Sequence, residues 1–112
     1  GGFPVEPGLY AATFWIKAID LQPGNHLWVS AVGYDKNGKR SKKVQRSDYL
    51  NNRNLPDDEW VECEFFFDIR EQDNISQIAP VVVFKTSPSG QAQPVPATTR
   101  ILIDDLIIVE DQ

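Results

Sequence analysis

The chain has 112 residues, of which 41% are hydrophobic and 24% are charged, and its formal net charge is −5. This length is typical of a single domain, and the apolar fraction is sufficient to build a packed core. The negative charge argues against nucleic acid as a partner, and no apolar run approaches the ~20 residues that cross a bilayer. We therefore expect neither nucleic acid binding nor membrane insertion.

The first predicted strand covers residues 9–19, where apolar and polar side chains alternate. With a period of two, one face of this strand carries the expected core side chains Tyr10, Ala12, Phe14, Ile16 and Ala18. The opposite face carries Thr13, Trp15 and Lys17.

A second strand is predicted over residues 26–35, after a Pro-Gly turn. One of its faces carries Leu27, Val29, Ala31 and Gly33, and the other carries Trp28, Ser30, Val32 and Tyr34. An Asn-Gly hairpin turn follows. The return arm through Val44 and Tyr49 is polar and weakly patterned, which predicts an edge strand or irregular structure.

Six of the eleven basic residues of the chain lie within the short segment 36–46. A cluster of this kind is most often a solvated hairpin whose lysines discourage edge pairing. The alternative is a local patch for an anionic ligand. The polar residues 51–58 that follow are predicted to form a loop.

Two further apolar strands are predicted in the second half of the chain. Residues 59–69 alternate, and the side chains expected to face the core are Val61, Cys63, Phe65, Phe67 and Ile69. Cys63 is the single cysteine, which excludes an internal disulfide, and its place in this alternation predicts a buried, inert thiol. Residues 78–85 predict a buried strand in which Pro80 marks the start or an edge position, and a polar loop is predicted over residues 86–97.

The closing stretch, residues 100–110, is an apolar run interrupted by the adjacent aspartates Asp104 and Asp105. Its β-branched and leucine residues predict a strand that is buried on both faces. A charge inside such a strand requires hydrogen bonds, a salt bridge or a bound cation. Because no segment shows a helical period, the chain is predicted to be all-β and to form an antiparallel β-sandwich.

Three stretches resemble, in the right order, the jelly-roll carbohydrate-binding modules appended to polysaccharide-active enzymes, which belong to the galactose-binding-like sandwiches. Residues 5–18 are similar to the family's Pro-Gly, Tyr and alternating strand, residues 60–69 to its strand that opens on Trp, and residues 103–106 to its closing Ile-Asp-Asp-aliphatic strand. The resemblance implies a jelly roll and a single module over residues 1–112. The family's opening strands have no counterpart here, which would leave inner-face residues uncovered. The alternatives are that this is a fragment of a longer chain, or that these strands are disordered, supplied by another chain, replaced by a neighbouring subunit or absent from a trimmed variant.

The resemblance also implies a carbohydrate site in which aromatic rings contact sugar faces and polar groups bind hydroxyls. The residues expected to form this site are Trp28, Tyr34, Ser30, Trp15, Lys17, Tyr49 and Asn52. The alternative for every tryptophan is a place in the core or in a subunit interface, and for Trp15 and Trp60 this alternative is favoured.

Modules of this family often hold a structural calcium between the opening segment and a carboxylate of the closing strand. The resemblance therefore assigns Asp104 as a metal ligand and calcium as the one expected cofactor. The other ligands have no counterpart in this chain, and calcium requires about six to eight oxygens. The alternative, which we favour, is that Asp104 accepts hydrogen bonds.

Catalysis is not expected, because His26 and Cys63 lie in predicted strands without an evident third partner. The first functional hypothesis is a non-catalytic module that binds polysaccharide or cell-surface glycan. The second is a structural or adhesive β-sandwich domain of an assembly, such as a phage tail fibre or virion appendage, which associates with itself or with other subunits. Both hypotheses predict an extracellular location or a place on a virion surface.

Overall fold

The computed structural model describes residues 2–85 and 97–110. Within these residues lie eight β-strands and one short 3-10 helix, which in chain order are β1 Phe3–Pro4, β2 Gly8–Ile19, β3 His26–Tyr34, β4 Arg40–Arg46, β5 Leu50–Asn51, β6 Trp60–Ile69, the 3-10 helix Glu71–Asp73, β7 Gln77–Lys85 and β8 Arg100–Glu110. The five main predicted strands are confirmed within one residue at each end, and the polar return arm forms β4. The two-residue strands β1 and β5 were not predicted, because two residues are too few to show an alternation. The loop predicted over residues 86–97 lies outside the described residues except for Ala97.

The described strands form two antiparallel sheets. Sheet A has the order β1-β7-β3-β4, with β5 also paired to β3, and sheet B has the order β6-β2-β8. All of these pairs are antiparallel. The prediction of an all-β, antiparallel fold is therefore confirmed, and the architecture is that of a β-sandwich, with side chains from both sheets in one core.

The core contains the side chains that the sequence alternation assigns to the inner faces. Phe14 of β2 and Leu27 of β3 are fully buried. The ring of Tyr10 stacks on Phe67 with the ring centroids 5.4 Å apart. Its hydroxyl donates to the carbonyl oxygen of Glu6 at 2.8 Å and accepts the Glu6 N–H at 2.9 Å. The ring of Tyr10 thus packs in the core while its hydroxyl satisfies the backbone of the preceding turn.

The side chains of β7 on the inner face of sheet A are not all buried. Val82 pairs with Val29, whose side chain is in the core, yet Val82 is 48% exposed. The prediction that residues 78–85 form a buried run is therefore wrong for the middle of the strand. Within the described residues, β1 pairs only with the first two residues of β7, so the remainder is an edge. Pro80 lies in this part, which confirms its predicted edge position.

The closing strand β8 is not buried on both faces, which corrects the prediction made from its apolar run. It lies at an edge of sheet B, and the side chains on its inner face are Ile101, Ile103, Leu106 and Ile108. Thr13 and Trp15 of β2 are two positions apart. Their partners on β8, Ile107 and Asp104, are three positions apart. The extra residue is Asp105, with a φ of 52°. At this β-bulge the side chains of Asp104 and Asp105 are both exposed, so no charge is buried. A bulged and charged edge strand also discourages pairing with another chain.

The Asp105→Val variant is expected to lose about 1–2 kcal/mol of the free energy of unfolding, because a β-branched residue is disfavoured at positive φ. Asp105→Asn is the matched control, since asparagine tolerates this conformation, and it is expected to stay within about 0.5 kcal/mol. Urea unfolding of both variants measures the difference. Equal losses would contradict the positive φ at this position.

Candidate functional site

Trp28 and Tyr49, two of the residues predicted to bind carbohydrate, meet on the outer face of sheet A. Their ring centroids are 5.0 Å apart, and the interplanar angle of 62° makes the contact edge-to-face. His26 stacks on Trp28 at 5.8 Å and meets Tyr49 at 5.5 Å. The guanidinium carbon of Arg46 lies 4.1 Å from the centroid of the Tyr49 ring. We call these four residues the aromatic cluster.

The aromatic cluster forms where the strand that pairs with β3 changes from β4 to β5. β4 pairs with the second half of β3, and β5 pairs with its first two residues. Between them, Ser47 donates its N–H to the carbonyl oxygen of Val29 at 2.8 Å, and its Oγ accepts the Val29 N–H at 3.0 Å. The backbone of β3 is thereby satisfied while the chain between β4 and β5 bends. This bend places Tyr49 beside Trp28, and Tyr49 is 50% exposed.

Two depressions in the described surface share Tyr49 as part of their walls. The large depression, of about 690 Å³, is lined by residues 23–26, Tyr49 and residues 51–53. The small depression, of about 360 Å³, is lined by Trp28, Ser30, residues 43–46 and Tyr49. The ring of Tyr49 is therefore accessible to a ligand that occupies either depression.

Each depression is lined by a buried polar residue whose side chain has no hydrogen-bond partner among the described residues. In the large depression this residue is Asn25, in which both Oδ1 and Nδ2 are unpartnered. In the small depression it is Ser30, through its Oγ. Both residues are 1% exposed. A buried polar group without a partner costs about 1–3 kcal/mol and is uncommon in folded proteins, so both groups indicate a place for a ligand or a bound water.

Four of the residues predicted to bind carbohydrate lie together at this site. Trp28, Ser30 and Tyr49 line the small depression, and Asn52 lines the large one together with Tyr49. Tyr34 lies elsewhere, because it is six residues from Trp28 along β3, or about 20 Å at the rise of a strand. Tyr34 pairs with Gln77 of β7 and with Arg40, the first residue of β4.

Trp15 and Lys17, also predicted to bind carbohydrate, lie on the outer face of sheet B. Trp15 is 39% exposed and Trp60 is 42% exposed, so neither is in the core. Both line a depression of about 300 Å³ with the two aspartates of the bulge. The Nζ of Lys17 lies 3.1 Å from Oδ1 of Asp58 and 5.6 Å from the centroid of the Trp60 ring. The structure does not bring these residues to the aromatic cluster.

Asp104, the predicted calcium ligand, is exposed at the bulge, where its Oδ1 accepts the N–H of Asp105 at 2.9 Å. In the part of the chain that the structure describes, no group of three or more His, Cys, Asp or Glu side chains is arranged to hold a metal. Two adjacent carboxylates supply fewer oxygens than calcium requires. The described residues therefore do not fit a calcium site.

His26, Arg46 and Arg53 also border the site, but they were not predicted from the sequence. The cluster of basic residues in segment 36–46 includes Arg46 and was considered as a patch for an anionic ligand. The sequence alone does not show which of the six basic side chains lies at the site. Lys42, in the same strand, turns away to Asp73 with an Nζ–Oδ1 distance of 2.7 Å. This hydrogen bond, together with the N–H of Arg70, holds the pKa of the Asp73 carboxyl below its usual value. Part of the basic segment thus has a structural role.

Cys63 is half-buried in β6. Burial raises the pKa of its thiol, and the negative charges of Asp48 and Glu62 act in the same direction. A raised pKa keeps the thiol protonated, whereas reactive cysteines have lowered pKa values. The thiol is therefore less buried than predicted, while its pKa is shifted in the direction expected of an unreactive cysteine.

Comparison with models of known families, with curated proteins and with solved structures found no match to this chain. Among the described residues there is no helix of the length and apolarity that a membrane span requires. The function must therefore be inferred from the geometry of the fold and of the aromatic cluster.

Proposed function

We propose that the protein is a non-catalytic carbohydrate-binding module that binds polysaccharide or cell-surface glycan at the aromatic cluster. The observation that supports this most directly is the meeting of His26, Trp28 and Tyr49 beside two depressions, each lined by an unpartnered polar side chain. Sugars present apolar C–H faces and a rim of hydroxyls, so their sites combine aromatic rings with hydrogen-bond donors and acceptors. The aromatic cluster and its two depressions offer both.

The path of the chain supports a jelly-roll, galactose-binding-like assignment, which is part of the proposal. Apart from the connections β3–β4 and β4–β5, each connection between successive described strands passes from one sheet to the other. Connections that alternate between two packed sheets are typical of jelly rolls. A fold alone does not establish a function, so the proposal depends on the site. An extracellular or virion-surface location would follow from its ligand.

A binding role is favoured over hydrolysis by the chemistry of the two depressions. In the described part of the chain, neither is lined by a carboxylate. Most glycoside hydrolases place two carboxylates on opposite sides of the scissile bond. The residues present can contact and hydrogen-bond a sugar but include no acid and base pair to cleave it.

The Trp28→Ala variant tests the proposal. Affinity electrophoresis against a panel of soluble polysaccharides is expected to show retardation of the unchanged protein. Trp28→Ala is expected to weaken this binding about fivefold, since Trp28 lines only the small depression and the loss corresponds to about 1 kcal/mol. Absence of binding to any member of the panel, or on a glycan array, would overturn the proposed function. Unchanged affinity in the variant would remove the aromatic cluster as its site.

The outer face of sheet B favours a second candidate, a structural or adhesive domain of a larger assembly such as a phage tail fibre. Four large apolar side chains there are at least half exposed, namely Leu9, Phe66, Ile107 and Val109. They are contiguous, because Ala11 pairs with both Phe66 and Val109 in the ladder. Exposed apolar surface of this kind marks interaction sites. A monodisperse monomer in light scattering, up to high protein concentration, would count against this candidate.

A further inference from the structure

We propose that the ligand of the aromatic cluster is an acidic polysaccharide, whose carboxylate or sulfate groups pair with basic side chains around the two depressions. This inference rests on the carbohydrate function proposed above and specifies its substrate class. The basic side chains that carry it are Lys43, Arg46, Arg53 and Lys85.

These four side chains lie in or beside the aromatic cluster, although they come from three separate parts of the fold. Lys43 and Arg46, at the middle and end of β4, line the small depression. Arg53 lines the large depression from the loop after β5. Lys85, at the end of β7, pairs with His26 in the ladder and therefore lies on the same face of sheet A. Positive charge thus borders both depressions and the rings between them.

Among the described residues, no carboxylate forms a salt bridge with any of the four side chains. In residues 2–85 and 97–110, salt bridges involve Lys17, Lys42 and Arg70, and none of the four. No described carboxylate lines either depression. The whole chain has a formal net charge of −5, so this local excess of positive charge runs against its composition. A neutral sugar would leave these cations without a partner, whereas an acidic sugar would supply one.

Arg46 is held in a position suited to an anionic group. Its guanidinium lies over the Tyr49 ring, and Nη1 donates to the carbonyl oxygen of Ser47 at 2.9 Å. A guanidinium has five N–H donors in a planar fork, which matches the geometry of a carboxylate or a sulfate. Among the described residues, Ser47 is the acceptor bonded to this guanidinium, so other donors can bind a ligand that also contacts the rings.

The unpartnered polar groups favour an acidic glycan over a single-stranded nucleic acid, the other polyanion with stacking groups. The Asn25 side chain carries a donor and an acceptor and the Ser30 hydroxyl can act as either, and all three atoms are buried in residues that line the depressions. Sugar hydroxyls also donate and accept, and each monosaccharide carries several of them. A nucleotide offers few hydroxyls, and the affinity of such polymers depends on many phosphate contacts.

Pairs of polysaccharides that differ only in charge test the inference with the unchanged protein. Polygalacturonate and its methyl-esterified form vary the carboxylate, and a sulfated polysaccharide and its desulfated form vary the sulfate. We expect the charged member of at least one pair to bind about fivefold more tightly or better, and added NaCl to reduce this difference. Equal or tighter binding of the neutral members would overturn the inference and leave the carbohydrate function standing. No binding to any polysaccharide would overturn both, and tighter binding of single-stranded DNA would assign the patch to nucleic acid.

Charge-removing variants locate the effect. Lys43→Gln and Arg53→Gln are each expected to weaken binding of the charged polysaccharide about two- to fivefold, and to weaken binding of its neutral counterpart by a smaller factor, because each change removes a charge from the wall of a depression but keeps a polar side chain there. Lys39→Gln is the matched control, because Lys39 is exposed in the turn after β3 and lines neither depression. Thermal unfolding confirms that all three variants fold. If Lys39→Gln weakens binding as much as the other two variants, the effect comes from net charge, and the inference is overturned.

Discussion

The Tyr49→Ala variant is expected to bind its glycan about thirtyfold more weakly than the unchanged protein. Tyr49 is part of the wall of both depressions and contacts His26, Trp28 and Arg46. Its removal therefore takes away apolar contact with the ligand and also the support of the neighbouring groups. Loss of an aromatic contact of about 2 kcal/mol corresponds to this factor. Isothermal titration calorimetry with the tightest-binding polysaccharide measures it.

Two controls separate the role of the ring from that of the fold. Tyr49→Phe keeps the ring and is expected to retain most of the affinity. Tyr34→Ala removes the same type of side chain from the far end of β3, outside the aromatic cluster, and is expected to change the affinity less than about twofold. If Tyr34→Ala weakens binding as much as Tyr49→Ala, the ligand does not bind at the aromatic cluster. Tyr49 is half exposed, so Tyr49→Ala should cost much less stability than truncation of a fully buried ring, although it also removes the ring contacts to His26, Trp28 and Arg46.

The Phe14→Ala variant is expected to lose about 3–5 kcal/mol of the free energy of unfolding. Phe14 is 0% exposed and lies in β2, the central strand of sheet B, where its side chain packs against both sheets. Truncation removes the transfer free energy of the ring and leaves a cavity that the two sheets cannot close fully. A loss of this size is a large fraction of the roughly 5–15 kcal/mol that stabilises a typical domain. Denaturant unfolding followed by tryptophan fluorescence measures it.

Leu9→Ala is the matched control for Phe14→Ala. Leu9 lies in the same strand but is 56% exposed on the outer face. Its truncation is expected to change the free energy of unfolding by less than about 0.5 kcal/mol. Similar losses in both variants would contradict the assignment of the two faces of β2.

The two candidate functions use opposite sides of the molecule and can be separated experimentally. The aromatic cluster lies on the outer face of sheet A, whereas Phe66, Ile107 and their apolar neighbours lie on the outer face of sheet B. A domain that docks through sheet B would leave the carbohydrate site exposed. The Ile107→Lys variant separates them. If this variant still binds glycan but differs from the unchanged protein in its mass in solution, both surfaces function.

The sequence by itself determined the all-β class and the main strands of this protein. Alternation with a period of two is a local property of the chain, so it identified Phe14 and Phe67 as core residues without any knowledge of their partners. For the second strand it separated the face of Leu27 from the face of Trp28, but it did not decide which of the two is buried. The family resemblance, and not the alternation, made Trp28 and Tyr49 candidates for a carbohydrate site, Trp28 from its strand and Tyr49 from the adjoining loop. The sequence could not show which of these aromatic residues meet. Tyr34 is on the same face of β3 as Trp28 but lies about 20 Å from it along the strand. Tyr49 lies beside Trp28 because β5 pairs with the first two residues of β3.

Only the tertiary structure decided the burial of β8, the bulge at Asp105 and the position of Arg46, because all three depend on pairing between residues that are distant in the chain. The apolar run of β8 predicted burial on both faces, but an edge strand with one exposed apolar face has the same composition. The bulge at Asp105 exists only in the register of β8 against β2, and this register explains how two adjacent aspartates remain in water. In the same way, Arg46 belongs to the aromatic cluster because β4 pairs with β3 and the chain then bends to β5. Long-range register is set by the packing of whole sheets, and no local pattern in the chain encodes it.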